Sequence, residues 1–265
     1  MDLEAVKRGF TGQAAVYDAY GAGHPAIRWA RGQVRARVTE RRAPGARLLE
    51  LNAGTGEDAA YFAERGYWVH ATDVADGMLA EIARKAAGPA LGGRLTVQAC
   101  SFLDLRAVTG GPYDLVFSNF GGLNCAPDLR PVAAGLPAVL RPGGQVVWVV
   151  MPPVCPWELA QLARGRWRVA LRRVRGRTLA RVAGAAVPTY YFTPAAVRAA
   201  LGPDFCSIQY RSLALFSPPA FMDGFPHRFP RLFHWLTRLD ERVGGWPLLN
   251  TWGDFVTLTA EYRPR

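Results

Sequence analysis

Lysine is almost missing from this chain. Among 265 residues only Lys7 and Lys85 occur, so nearly all of the positive side of a +11 formal charge is arginine. Cysteine is sparse too: Cys100, Cys125, Cys155 and Cys206 are scattered, with no CxxC or Cys/His pairing. That spacing excludes a zinc site and a disulfide framework, and it suits free thiols in a reducing cytoplasm. No apolar run approaches the roughly eighteen residues that span a bilayer. The start, MDLEAVKRGF, is polar and charged and lacks the pattern of an export signal. No catalytic triad, metal-ligand cluster, internal repeat or low-complexity stretch is visible. Half of the residues are hydrophobic, which excludes global disorder, and the length suits one large domain or a domain with caps.

What is present is concentrated in RLLELNAGTGEDAAYFAERGYWVHATDVADGML, Arg47 to Leu79. Leu48, Leu49 and Leu51 form a short apolar run, as a strand buried on both faces requires. The turn Asn52-Ala53-Gly54-Thr55-Gly56 follows at once. Its glycines permit positive φ and close approach of a ligand to backbone. Asn52 is one of the few other residue types that tolerates a left-handed conformation. Glu57 and Asp58 open a helix at the positive end of its dipole, Ala59, Ala60, Phe62 and Ala63 give it a face that lies close on a sheet, and Gly66 ends it. Tyr67 to Thr72 reads as a second strand. Asp73 stands at its carboxyl end, where open α/β sheets bind ligands and where an acid accepts from a ribose diol.

The order of groups bears on the ligand. A dinucleotide turn is G-x-G-x-x-G, with the pyrophosphate on the helix N-terminus. Here the pattern is N-x-G-x-G, followed by two carboxylates that repel a pyrophosphate but not a sulfonium cofactor with an amino-acid tail. Glu50, just before the turn, adds negative charge. The expected cofactor is S-adenosylmethionine, with S-adenosylhomocysteine as product.

This segment resembles motif I and the following acidic strand of class I S-adenosylmethionine-dependent methyltransferases, nearest to the type 11 group that includes ubiquinone and menaquinone biosynthesis enzymes. LTVQACSFLDL (Leu95 to Leu105), YDLVFSNFGGLNC (Tyr113 to Cys125) and LRPGGQVVWVV (Leu140 to Val150) are similar to later family segments in order and spacing; the last is read as a helix end, a glycine turn and the fifth strand. The departures are Asn52 for the usual glycine and Ser101 where many members carry an acid. The resemblance implies a Rossmann-like seven-stranded, mostly parallel sheet with an antiparallel last strand, helices on both faces and helical or hairpin caps. It places Glu50, Asn52, Gly54 and Gly56 around the methionine moiety, Asp73 on the ribose, and Val74, Met78, Ser101 and Phe102 around the adenine. Asn119 and Phe120 fall near the reactive methyl.

The remaining chain divides around that core. Residues 1–44 read as a leading helical cap, with Phe10, Ala14, Tyr17 and Tyr20 at helical spacing and a second helix from Ala26 to Arg42. Residues 45–150 form the cofactor-binding core, with strands near 47–51, 67–72, 94–99, 113–118 and 144–150. Residues 151–192 form a cap insertion, with a helix over Trp157 to Val169 and a hairpin over Thr178 to Phe192 around Gly184. Residues 193–265 complete the core, beginning with a helix capped by Thr193 and adding strands over Cys206 to Phe216 and Asp254 to Tyr262. The segment Arg164 to Arg181 holds eight arginines and no acid, a patch that suits nucleic acid, anionic lipid or an acidic substrate. Residues 217–250 form an aromatic and basic insert, in which Phe225, Phe229, Leu232, Phe233, Leu236 and Leu239 share one helical face, the pattern of a cap helix or an interfacial one.

Methyl transfer from a sulfonium needs alignment and exclusion of water more than a catalytic group, and a base only for a protonated acceptor. Tyr17, His24, Asn119, Tyr190 and Tyr191 are the polar candidates on the acceptor side; His227 and His234 read as surface residues. The expected acceptor is small and apolar or lipid-like, with peripheral contact to an anionic membrane. The loop after the fourth strand lacks the prolines of nucleic-acid amino-methyltransferases, so nucleic acid is disfavoured. An RNA or protein methyltransferase using residues 164–181 is the second reading, and a cofactor-holding binding protein the third.

Overall fold

Strands form where the apolar runs stand. In a computed structural model describing residues 1–265, the strands are β1 Arg47–Leu51, β2 Trp68–Asp73, β3 Leu95–Ala99, β4 Tyr113–Ser118, β5 Leu140–Val150, β6 Arg177–Val182, β7 Ala185–Tyr190, β8 Phe205–Leu213 and β9 Phe255–Tyr262. Seven of them make one sheet in the order β3-β2-β1-β4-β5-β9-β8. The five strands from β3 to β5 are parallel, and β9 runs antiparallel to both β5 and β8. The order reverses between β1 and β4, which opens the ligand crevice at their carboxyl ends. Strands β6 and β7 form a separate antiparallel hairpin, turning through Ala183 and Gly184 at φ +43° and +84°.

The helices are α1 Leu3–Gly23, α2 Pro25–Thr39, α3 Glu57–Glu64, α4 Asp76–Ala86, α5 Arg130–Val139, α6 Pro156–Leu159, α7 Trp167–Ala170, α8 Pro194–Leu201, α9 Gly224–Arg228 and α10 Pro230–Val243. Side-chain alternation along the strands supplies a core on each face of the sheet. Leu49, Val116 and Trp148 pack towards α5 and α8 on one face, and Leu48, Phe117 and Val147 towards α2 and α3 on the other.

Four expectations need correction. Leu140 to Gly144 is not a helix end and free turn: β5 already pairs at Leu140, and the jump from Tyr113↔Leu140 to Leu115↔Gln145 absorbs the glycines as a bulge, with Gly143 at φ +76°. The helix over Trp157 to Val169 is broken into α6, a 3-10 stretch Ala160–Arg164 and α7, with Gly165 at φ +68° ending the 3-10 stretch before α7. Strand β8 ends at Leu213, before Ala214 at φ +55°. The insert's helix breaks in two at Phe229, which Pro230 excludes from the helical region. The buried stripe of α10 is Phe233, Thr237, Asp240 and Val243, while Leu232 is exposed. Asp240 draws that stripe inward by accepting from the backbone N–H groups of Phe216 and Ser217 and from the Ser217 hydroxyl.

Candidate active site

The turn after β1 is held from below and from the side. Asn52 adopts φ +46°, and Gly54 and Gly56 adopt +58° and +75°, so the left-handed tolerance of Asn is used. Its amide oxygen accepts from Ser118 Oγ at 2.8 Å. Its side chain lies so close to Gly122 that a Cβ there would stand 2.2 Å from Asn52 Nδ2. Gly122→Ala is therefore expected to expel the Asn52 side chain and to destabilise the fold by about 1–3 kcal/mol, measured by denaturant unfolding; unchanged stability would show that the loop yields freely. Gly56 serves packing, since a Cβ would meet Ile82 at 2.9 Å.

Asp73 ends β2 as predicted and is 7% exposed. One carboxylate oxygen accepts from Gly54 N at 2.9 Å, and the other from Val74 N at 2.7 Å and Ala75 N at 3.0 Å. Burial pushes this carboxyl up from its usual range, and the three N–H groups partly offset it. Each carboxylate oxygen has two acceptor sites, so capacity for a further donor remains.

The charges that the sequence placed beside the turn are not free. Arg31 from α2 donates to Asp58 at 3.1 Å and pairs with Glu57 at 3.1 Å, and Arg35 Nε reaches Asp58 at 2.6 Å. Asn119 Nδ2 also donates to Asp58, at 2.8 Å. The carboxylates at the start of α3 are thus neutralised by α2 and do not discriminate against a pyrophosphate. Glu50 is buried and lies outside the cavity wall. Burial, and the nearby charge of Asp58, push its carboxyl well above the ordinary range, against the pull of Arg31 and Arg35. Asp73 is the acid that faces the crevice.

Helix α1 closes the crevice from above. A Cβ on Gly77 would meet the Thr11 carbonyl at 2.8 Å, so α1 lies directly on α4. Asp18 accepts from Lys85 Nζ at 2.6 Å and from the Thr55 hydroxyl, and Lys85 also donates to the Thr55 carbonyl at 2.7 Å. Burial raises the Asp18 carboxyl, but the hydrogen bonds from Lys85 and Thr55 outweigh it and the net shift is down. The helix is tied to the glycine turn by charge as well as packing.

Beneath α1 lies a cavity of about 210 Å³, partly open to solvent. Asn52, Asp73, Val74, Cys100, Phe102, Asn119 and Phe120 form its floor and one end; Val6, Phe10 and Tyr17 form the roof; Ala180, Val182, Val187 and Thr189 of the hairpin form the far wall. Seven predicted residues therefore meet there: Tyr17, Asn52, Asp73, Val74, Phe102, Asn119 and Phe120. Gly54 stands just behind, bonded to Asp73. Met78 is buried under Ala14 and Ala75, and Ser101 Oγ accepts from Leu103 N to close a local turn; neither lines the cavity.

Three acceptor-side candidates, His24, Tyr190 and Tyr191, lie outside the cavity lining. His24 joins α1 to α2 and bonds the Ala220 carbonyl through Nε2 at 2.9 Å. Tyr191 lies under the guanidinium of Arg173, 5.4 Å from its ring centroid. Local sequence does not reveal either burial. The 151–192 cap encloses the cavity as expected, but alternation along its strands does not say which hairpin face meets it, so Ala180, Val182, Val187 and Thr189 are not identifiable from sequence. Asn124 was missed as well; it bonds the Tyr190 carbonyl at 2.6 Å and both the N–H and carbonyl of Met151, fastening hairpin to sheet.

The titratable groups of the cavity are few. Burial raises Tyr17 and Cys100, and pushes the Cys125 thiol up to about 11. Cys125 is expected to resist iodoacetamide at neutral pH in native protein, read by peptide mass spectrometry; rapid alkylation would contradict a buried neutral thiol.

Sheet order, the acid at the end of β2 and the crevice over the glycine turn define the class I methyltransferase fold. Residues 48–144 match the model of the methyltransferase domain family. Demethylmenaquinone methyltransferase of Beutenbergia cavernae is 36% identical over 118 residues, covering 43% of this chain and 45% of that one. The chain thus spans less than half the length of the curated relative it matches. Among solved structures, 1,6-didemethyltoxoflavin-N1-methyltransferase of Burkholderia thailandensis, with 1,6-didemethyltoxoflavin and S-adenosylhomocysteine bound, has TM-score 0.58 at 20% identity over 98% of this chain and 88% of that one. A putative S-adenosylmethionine-dependent methyltransferase of Listeria monocytogenes has TM-score 0.56 at 16% identity, over 88% and 99%. Residues 48–144 are thus similar to a methyltransferase domain, and the whole chain shares the fold of the solved S-adenosylmethionine-dependent methyltransferases. No helix is long and apolar enough to cross a membrane.

Proposed function

We propose that this protein is an S-adenosylmethionine-dependent methyltransferase acting on a small, apolar or lipid-like acceptor. The observation that carries this reading is the continuity of one cavity from the Asp73 end to the hairpin, with twelve of its eighteen lining residues hydrophobic. Such walls suit an apolar ligand with few fixed polar contacts. The curated relative named for demethylmenaquinone supports a greasy acceptor.

The residues fit the cofactor. Asp73, already fixed by three backbone N–H groups, retains acceptor capacity for the ribose hydroxyls. Val74, Cys100 and Phe102 offer apolar surface to the adenine, with Ser101 and Met78 supporting them from behind. Asn52, Gly54 and Gly56 turn the backbone around the methionine part, over buried Glu50, and Asn119 and Phe120 face the acceptor. When bound, S-adenosylmethionine supplies a methyl group already activated on a cationic sulfur. The chain contributes alignment and a roof against water. Neither His24 nor any other histidine lines the cavity, and the Asn119 amide is engaged by Asp58 and by Phe120 N. Tyr17, above Gly54, remains as a positioning group, so the acceptor brings its own nucleophilic atom.

Filling the far wall separates the two halves of this reading. Val187→Trp is expected to leave S-adenosylhomocysteine affinity within about threefold while cutting S-adenosylhomocysteine release with a quinol or phenol panel by roughly a hundredfold, as a ~1 Å misplacement does. Equal turnover in the variant would refute the placement of the acceptor. The cytoplasm, with contact at the membrane face where such acceptors reside, is the location this reading favours.

A further inference from the structure

Six of the eight arginines in the 164–181 segment, Arg164, Arg166, Arg168, Arg175, Arg177 and Arg181, are exposed, and none has a carboxylate within salt-bridge distance. The other two are consumed in fixing the segment: Arg172 and Arg173 bind Glu158, and Arg173 also binds Asp254. Large apolar side chains stand among the free arginines. Trp167 is 51% exposed, Val174 61% and Leu179 67%. The guanidinium carbons of Arg168 and Arg175 lie 5.4 and 5.8 Å from the Trp167 ring centroid.

The hairpin links this surface to the cavity. Along β6, Ala180 and Val182 line the cavity, while Arg177, Leu179 and Arg181 alternate onto the exposed side. The basic, apolar face is therefore the outer side of the strand whose inner side walls the acceptor space. A polyanion such as RNA would pair with the arginines and stack a single base on Trp167, but it would leave Val174 and Leu179 uncovered. A bilayer rich in anionic phospholipid answers both halves: phosphates meet the guanidinium groups, and the acyl boundary receives Trp167, Val174 and Leu179.

We infer that the outer face of residues 162–181 is a docking surface for an anionic lipid bilayer, and that it sets the hairpin wall of the cavity against the membrane. Its use in delivering an acceptor rests on the methyltransferase reading; the docking stands on the surface alone.

The test is flotation of the full chain with phosphatidylcholine vesicles, with and without phosphatidylglycerol. The protein is expected to float with the anionic vesicles only, and to be released by high salt, which screens exposed charges. The combined Arg166→Ala, Arg168→Ala and Arg175→Ala variant is expected to partition more weakly by about fivefold per arginine, on the order of a hundredfold in total. Trp167→Ser should weaken partitioning while leaving its salt dependence intact. Flotation of the triple variant equal to the native chain, indifference to phosphatidylglycerol, or tighter binding to an RNA homopolymer than to vesicles would each overturn the inference. Calorimetry with S-adenosylhomocysteine on the same samples reports folding of the variants. Absence of heat in every sample would sink the methyltransferase reading and leave the flotation result to stand on its own.

Discussion

Replacing Arg173 by Met is expected to destabilise the protein by about 3–5 kcal/mol, the cost of leaving a buried charge without its partner. The side chain of Arg173 is 3% exposed. Its guanidinium bonds Glu158 Oε1 at 2.7 Å, Asp254 Oδ1 at 2.6 Å and the Asp254 carbonyl at 2.7 Å. Cys155, Glu158 and Asp254 bring their ligand atoms within 4.8 Å of one another, and the guanidinium supplies the positive charge at that point. The Cys155 thiol, pushed up to about 12 chiefly by burial, adds none of its own negative charge. Arg172 still reaches Glu158 in the variant, so Asp254 is the group left alone at the start of β9. Urea unfolding followed by circular dichroism measures the effect. Arg173→Lys should recover only part of it, because an ammonium lacks the forked geometry that spans two carboxylates. A loss below about 1 kcal/mol, the range of exposed pairs, would mean that solvent reaches the cluster.

Asp73→Ala is expected to weaken S-adenosylhomocysteine binding on the order of a hundredfold or more, since hydrogen bonds to a charged acceptor contribute about 1.5–3 kcal/mol each. Asp73→Asn should be nearly as harmful, and the reason is specific. The two oxygens of Asp73 face N–H donors on opposite sides: Gly54 on one, Val74 and Ala75 on the other. Whichever way an asparagine is turned, its NH₂ group meets a donor. Calorimetry compares the three proteins; an asparagine variant with native affinity would show that the tether of the glycine turn is dispensable.

The parallel sheet was legible because its strands are apolar runs bounded by turn residues, and the Asn52 turn because few residue types adopt a left-handed backbone. The hairpin announced itself through Gly184. The electrostatics of the turn were not legible. Glu57 and Asp58 read as free acids until α2, more than twenty residues earlier in the chain, is seen to bring Arg31 and Arg35 onto them. The charge of Glu50 depends on burial, which sequence reports only by inference. For His24 and Tyr191, neighbours distant in sequence decide the environment: the Ala220 carbonyl for one and the Arg173 guanidinium for the other. The exposure of Leu232 follows from the break at Pro230, which rotates α10 away from the face that continuous periodicity projects.

One titration tests the central claim most directly: S-adenosylhomocysteine against the purified full chain, with NADH as the competing ligand. The proposed cofactor site predicts one-to-one binding of S-adenosylhomocysteine that Asp73→Ala weakens by on the order of a hundredfold or more, and no heat with NADH. Heat with NADH and none with S-adenosylhomocysteine would contradict it.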